Sequence, residues 1–135
     1  MKVSIGDYNE DSNAPRESKI QIDPWDTVSV DNTLALIALP LLKQYRKNLN
    51  GAPYVENDDV PPEMYQEVDS YDGWDKRWAW VVDEMINAFE RLVDPDWSDD
   101  FHEGMTFHAE AWQAEDKRID NGLRLFGKYF RGLWQ

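Results

Sequence analysis

Four basic side chains near the C-terminus recur at positions that a helix would bring into one sector. Their spacings are seven, four and three residues, and this basic stripe comprises Lys117, Arg124, Lys128 and Arg131. Cations hold phosphates through charge-assisted hydrogen bonds, and nearby Tyr129 and Trp134 offer rings that stack on bases. The stripe therefore predicts binding of a small phosphorylated ligand. The alternative is that it neutralises an acidic segment, within one chain or between subunits.

A tryptophan on a charged helix face is the second candidate. At about 100° per residue, one face of a predicted helix over Trp74–Val93 collects Trp74, Trp78, Val81, Val82, Met85, Phe89 and Leu92. Trp80 falls opposite, flanked by Arg77, Glu84, Asn87 and Arg91. Such a large apolar surface requires cover from another layer of the fold, a second subunit or a ligand. The candidate ligand-binding residues are therefore Trp80, Arg77, Arg91, Tyr129 and the basic stripe.

The acidic residues are concentrated in the middle of the chain. The formal net charge is −13, and residues 52–103 hold sixteen acidic against three basic residues, so this segment alone sums to −13. Such a field repels phosphates, and broad nucleic-acid binding is not expected. It favours cations and basic partner proteins. The alternative is an acidic surface that only confers solubility.

Closely spaced carboxylates between Asp94 and Glu103 invite comparison with metal sites. An EF-hand loop starting at Asp94 needs Gly at its sixth position and Glu at its twelfth, where this chain has Asp99 and Met105. His102-Glu103 is followed by Gly-Met-Thr, which does not complete a zinc helix motif. No dedicated metal and no cofactor are expected.

Enzymatic chemistry is the next possibility. Asp83, Glu84 and Glu90 could hold Mg²⁺ against phosphates, as in all-helical nucleotide hydrolases. Glu84 and Glu90, however, are six residues apart, so the Glu-x-x-Glu spacing is missing. The chain also contains no cysteine, no G-x-S-x-G elbow and no glycine-rich phosphate loop. We expect a protein that is not an enzyme, with a Mg²⁺-dependent hydrolase as an alternative.

The sequence predicts one mainly α domain (α+β) over residues 1–135, with three principal helices that position these residues. Residues 1–23 alternate apolar and polar positions, which predicts two short strands, a hairpin-like element that must pack on something or pair with another chain. Residues 24–135 form the helical body, with acidic connections at 52–73 and 94–106. No apolar run nears the roughly 18 residues of a membrane span, so no membrane association is expected.

The first and last helices carry more specific predictions. The first, at about 28–48, is apolar nearly all round between Leu34 and Leu42, which predicts a place in the middle of the fold with a kink near Pro40. The last runs from 107 or 108 to near 133, and its predicted core face comprises Trp112, Ile119, Leu123, Phe126, Phe130 and Leu133.

Several long strings resemble a widespread family of small, uncharacterised tailed-bacteriophage proteins. They cover about residues 19–135 and lie at 22–27, 33–44, 51–55, 58–61, 77–90 and 121–134. The resemblance brings no catalytic residues. It implies a viral protein acting in the cytoplasm of an infected bacterium, where small phage proteins commonly bind host defence enzymes or nucleotide signals.

Together these features predict a non-enzymatic phage protein, as a homo-oligomer, that binds a host-derived ligand to counter host defence. Its sharpest form is sequestration of a small nucleotide signal between subunits by Arg124, Lys128 and Arg131, with stacking on Trp80 or Tyr129. The alternative is an inhibitor of a host protein whose acidic segments mimic nucleic acid.

Overall fold

The computed structural model describes residues 1–11, 13–66 and 70–135. Two strands, β1 (Lys2–Ile5) and β2 (Ser18–Gln21), precede helices α1 (Val30–Lys47) and α2 (Trp74–Val93). A short ribbon of β3 (His102–Glu103) and β4 (Thr106–Phe107) leads into α3 (Ala109–Tyr129). Short 3₁₀ turns lie at Pro24–Thr27, Asn57–Asp59, Pro62–Met64, Trp97–Phe101 and Phe130–Gly132. The predicted fold class, mainly α with a small N-terminal β element, is confirmed. None of the described helices is long and apolar enough to cross a membrane.

Helix α2 is the central element, because both α1 and α3 pack against it. Its bounds match the predicted ones, and its predicted apolar face supplies the fully buried Trp78, Val81, Val82 and Met85. The C-terminal carbonyls of α2 are also covered, since the Asn32 amide donates to the Leu92 oxygen over 3.1 Å. The core of the fold therefore lies around α2.

The prediction that the first helix lies in the middle of the fold is wrong. Helix α1 buries only Ala35 and Leu42, while Leu34, Leu36 and Leu41 are exposed. A helix that is apolar all round can be covered on every side only if several elements reach it. Here α1 contacts α2 along one stripe, and the rest of its apolar surface stays open.

The predicted core face of the last helix is also wrong in part. The buried residues of α3 are Ile119, Gly122, Leu125 and Tyr129, whereas Leu123 and Phe130 are exposed. Gly122 explains this rotation, because a Cβ there would lie 2.6 Å from the Glu84 carbonyl oxygen and 2.7 Å from the Ala88 Cβ. Only glycine lets α3 approach the α2 backbone this closely, so Gly122 sets which face of α3 points inward.

The predicted N-terminal strand pair is confirmed. β1 and β2 are antiparallel, with Val3 opposite Ile20. Both strands are exposed along their whole length, so they do not pack on the described body of the chain. The N-terminal amine does reach the body, through an ion pair of 3.2 Å with Asp26.

Two glycines of α3 test the packing of α2 against α3. Gly122→Ala is expected to destabilise the fold by about 1–3 kcal/mol, because the new methyl group overlaps the Glu84 carbonyl oxygen and the Ala88 Cβ of α2. Gly127→Ala is the matched control, because nothing lies within 4 Å of a Cβ there, and it should stabilise by up to about 1 kcal/mol through helix propensity. Urea unfolding of both variants measures the difference, and equal effects would contradict this packing.

Candidate functional site

Three of the predicted ligand-binding residues converge on one carboxylate of the same chain. Asp59, at the end of the Asn57–Asp59 turn, is only 4% exposed. Its two oxygens accept hydrogen bonds from Arg124 Nη2 at 2.8 Å, from Lys128 Nζ at 2.6 Å and from the Tyr129 hydroxyl at 2.5 Å. The Tyr129 oxygen also accepts the backbone N–H of Glu56 over 3.1 Å. These donors therefore fasten the first acidic connection onto α3.

The protonation states in this cluster follow from its geometry. Burial alone raises the pKa of the Asp59 carboxyl, but the hydrogen bonds from Lys128, Tyr129 and Arg124 outweigh burial and hold that pKa below its usual value. The Asp59 and Glu56 carboxylates raise the pKa of Lys128. Burial, followed by the bond to Asp59, raises the pKa of Tyr129 to about 12. At neutral pH the cluster is a carboxylate held by two cations and a neutral phenol.

Arg77 lies in the interior, and its predicted place on an outward charged face is wrong. It is 2% exposed, and its guanidinium donates to the Val55 and Met64 carbonyl oxygens and to Asn57 Oδ1. A buried guanidinium needs several acceptors, and the connection before α2 supplies them because its backbone turns around Arg77. The connection before α2 is therefore held at two points: Arg77 binds it to α2, and Asp59 binds it to α3.

Trp80 and Arg91 also contact their own chain. Trp80 is half-buried and packs against the hydrophobic core, so another layer of this fold covers part of the indole. Arg91 donates to Asp100 over 2.7 Å and to Glu115 over 3.1 Å. Its guanidinium also lies 5.9 Å from the ring centre of Trp97. That these residues bind a ligand stays a prediction.

The two ends of the basic stripe are different. Lys117 and Arg131 are exposed, and no ion pair involves either within the described ranges. They are separated by fourteen residues, which at 1.5 Å per residue is about 21 Å along the helix. They are therefore too far apart to hold one small phosphate group.

The carboxylates considered for Mg²⁺ do not meet at one point. Asp83 pairs with Arg46 at 2.8 Å, Glu90 with Lys43 at 3.1 Å, and Glu84 with Arg118 at 2.6 Å. Among the residues that the structure describes, no group of three or more His, Asp or Glu side chains is arranged to hold a metal ion. The Glu84–Arg118 pair instead ties α2 to α3.

A row of unpaired carboxylates follows α2. Asp94, Asp96 and Asp99, which we call the acidic ridge, are exposed and make no ion pair with any described residue. Their backbone is held in place locally, because the Asp99 N–H donates to the Asp96 carbonyl oxygen over 2.9 Å and the Asp96 N–H to Asp94 Oδ1 over 3.0 Å.

Aromatic packing fixes this ridge to the body of the fold. Trp97, in the middle of the ridge, stacks on Trp112 of α3 with ring centres 5.8 Å apart and planes at 9°. Phe101 meets Trp97 edge-on at 5.9 Å, and the carbonyl of Phe101 accepts the His108 N–H over 2.8 Å. The ridge therefore presents its carboxylates from a rigid support.

Sequence reasoning found the residue types of this region but missed two features. The acidic connection at 52–73 contains Asp59, but charge and composition do not indicate that this carboxylate is buried and central. The second feature is a polar contact across α2 and α3, in which Asn87 and Arg91 both donate to the Glu115 carboxylate. The sequence does indicate that one acceptor binds both cations. The four-residue spacing of Arg124 and Lys128 places them on one helix face, where a single carboxylate can contact both.

Replacing Asp59 tests whether this carboxylate holds the acidic connection. Asp59→Asn is expected to cost about 1–3 kcal/mol of unfolding free energy at pH 7, because the two cations lose their shared charged acceptor. The neighbouring exposed Asp58→Asn is the control and should change stability by less than about 0.5 kcal/mol.

The lowered pKa of Asp59 also predicts how the free energy of unfolding of these variants changes with pH. Because the pKa of Asp59 is lower in the folded state, its stabilisation is present above the unfolded-state pKa of about 3.9 and is lost as pH falls below it. Chemical unfolding between pH 7 and pH 3 should therefore show a shallower acid loss for Asp59→Asn than for wild type. Parallel curves would contradict the assignment.

Comparisons with known proteins give no match: no protein-family model, no curated protein and no solved structure is significantly similar to this chain. The resemblance to tailed-phage proteins therefore stays a prediction.

Proposed function

We propose that this chain is a non-enzymatic phage protein that acts in the host cytoplasm, where its acidic ridge binds a basic surface of a host protein and so counters host defence. The observation that supports this most is the ridge itself, which offers on a rigid support three exposed carboxylates that form no ion pair with a described residue. The natural target of such a surface is a protein that normally binds nucleic acid.

The distribution of ion pairs supports this choice. An ion pair within the chain occupies a basic side chain together with one or two carboxylates, so pairing leaves the formal net charge of −13 unchanged. The pairs involve most basic side chains of the helical body: Lys43, Arg46, Arg91, Arg118, Arg124 and Lys128. The surface that remains for a partner is thus more uniformly acidic than the sequence indicates.

The rigid support of the ridge matters for affinity. A flexible acidic loop loses conformational freedom when it binds, which costs about 0.5–1.5 kcal/mol for each ordered side chain. The backbone of the ridge is already ordered by its hydrogen bonds and by the stack of Trp97 on Trp112. Binding then needs only the carboxylate rotamers to settle.

Capture of a small nucleotide signal is less well supported by the geometry. A phosphate that engaged Arg124 and Lys128 would have to displace the buried Asp59 carboxylate, which already accepts hydrogen bonds from both. A Mg²⁺-dependent hydrolase would similarly need Asp83, Glu84 and Glu90 released from their cations. Neither function has a contact that favours it over binding of a basic protein.

Neutralising the ridge tests the proposal. The variant Asp94→Asn/Asp96→Asn/Asp99→Asn is compared with Asp58→Asn/Glu63→Gln/Asp72→Asn, which removes the same charge near the other end of α2, on the order of 30 Å away. Each variant is titrated against host proteins retained on a DNA matrix. Wild type should release a host protein in stoichiometric amount and in a salt-sensitive manner, the ridge variant should be at least about tenfold weaker, and the control should match wild type.

Two outcomes would reject the proposal. Equal weakening of both variants would show that net charge, and not the ridge, drives the displacement. Alternatively, calorimetric titration with cyclic and linear nucleotides could give binding that is lost in Lys117→Gln/Arg131→Gln, and a phosphorylated ligand would then replace the host protein as the target.

A further inference from the structure

The outer face of α1 carries a regular apolar row that the described part of the chain leaves uncovered. Val30, Leu34, Ile37 and Leu41, which we call the α1 seam, are all exposed, and Leu41 is 69% exposed. Their spacings are four, three and four residues, the repeat with which one helix packs knobs into the holes of another. Helix α1 thus has a second apolar row besides the one that contacts α2.

An apolar groove continues this surface. Helices α1 and α3 both pack on α2, and between them lies a depression of about 350 Å³ lined by Ala38, Leu41, Leu42, Tyr45, Phe126, Phe130 and Leu133. Leu41 belongs to both the α1 seam and the groove. Leu123 and Phe130 of the α3 side, which sequence reasoning placed in the core, are exposed. Seam and groove therefore form one apolar surface across two helices.

The accessible surface of the chain is larger than that of a self-contained monomer. It measures 10018 Å² for a chain of 15.9 kDa, whereas a compact monomer of that mass exposes about 7,400 Å². The excess is about 2,600 Å², and part of it belongs to the exposed N-terminal hairpin. A permanent homodimer buries roughly 1,000–2,500 Å² on each subunit. The excess is of the size that such an interface would remove.

We propose that the α1 seam and its adjoining groove form a two-fold interface between two copies of this chain. The seam is self-complementary: an axis perpendicular to α1 midway between residues 35 and 36 brings Leu34 opposite Ile37 of the partner subunit and Val30 opposite Leu41 of the partner subunit. Such a pairing of one patch with itself is the usual arrangement of soluble dimers.

Charge favours a second copy over a basic partner as the occupant of this surface. From Asn32 to Leu42 the sequence contains no charged residue, and this stretch includes most of the seam. Two chains of net charge −13 repel each other at their acidic segments and can approach most closely through such an uncharged surface. A basic partner would instead be attracted to the acidic ridge.

Two leucines of equal exposure provide a matched test of the interface. Leu34 and Leu36 are each 58% exposed, but Leu34 belongs to the seam while Leu36 lies about 130° away from it around the helix. Light scattering after gel filtration should give the wild-type chain a mass of about twice 15.9 kDa. Leu34→Glu and Leu41→Glu should weaken the dimer roughly 100-fold or more by burying carboxylates without partners, whereas Leu36→Glu should leave the mass unchanged.

Circular dichroism of each variant should show unchanged helix content, because the replaced side chains are exposed. A second measurement uses the absence of native cysteine. Leu34→Cys/Ile37→Cys should form a covalent dimer under mild oxidation, and Leu36→Cys should not.

A monomeric wild-type chain would overturn the proposal, including one in which the N-terminal hairpin covers the seam. A dimer that Leu34→Glu and Leu36→Glu weaken equally would also overturn it.

Discussion

Burial of the Asp59 carboxylate is the constraint on which the arrangement of the acidic connection depends. Moving an ionised carboxylate out of water costs several kcal/mol unless hydrogen bonds and opposite charges offset the loss. Arg124, Lys128 and Tyr129 provide that offset from α3. These donors and Asp59 are more than sixty residues apart in the sequence. Their hydrogen bonds can therefore form only when the connection lies across α3. The cations of this acidic protein thus organise its fold.

The fold could be predicted from the sequence where one helix face differs strongly from the other. Helix α2 has such a contrast, and its predicted bounds and buried face are confirmed. Periodicity does not say which helix is central, because it identifies an apolar face but not the partners available to cover it. Between Leu34 and Leu42, helix α1 is apolar nearly all round, which suits the interior of a fold or an interface between chains equally well. Gly122 adds information that hydropathy ignores, since it sets the rotation of α3 through close approach and not through apolar area.

The candidate site was predictable in residue type but not in partners. The sequence predicts that Arg124, Lys128 and Tyr129 bind a phosphorylated ligand, and in the structure all three contact the carboxylate of Asp59. For Arg124 and Lys128, the contacts agree with the alternative, in which the stripe neutralises an acidic segment of its own chain. Charge and spacing cannot separate a ligand phosphate from a carboxylate of the same chain, because both satisfy the same donors. The path of the connection around Arg77 brings the Asp59 carboxylate to these donors, and the sequence alone does not reveal that path.

The acidic ridge and the α1 seam depend on opposite physical forces, which makes their effects separable. Binding through the ridge is electrostatic and weakens as salt screens the carboxylates. Association through the seam is apolar, and salt strengthens it by screening the repulsion between two chains of net charge −13 each. The two surfaces also contain different residues, the ridge after α2 and the seam on α1. Pairing at the seam would therefore leave the carboxylates of the ridge free, so that one assembly could present two acidic surfaces to a basic partner and gain affinity from both together.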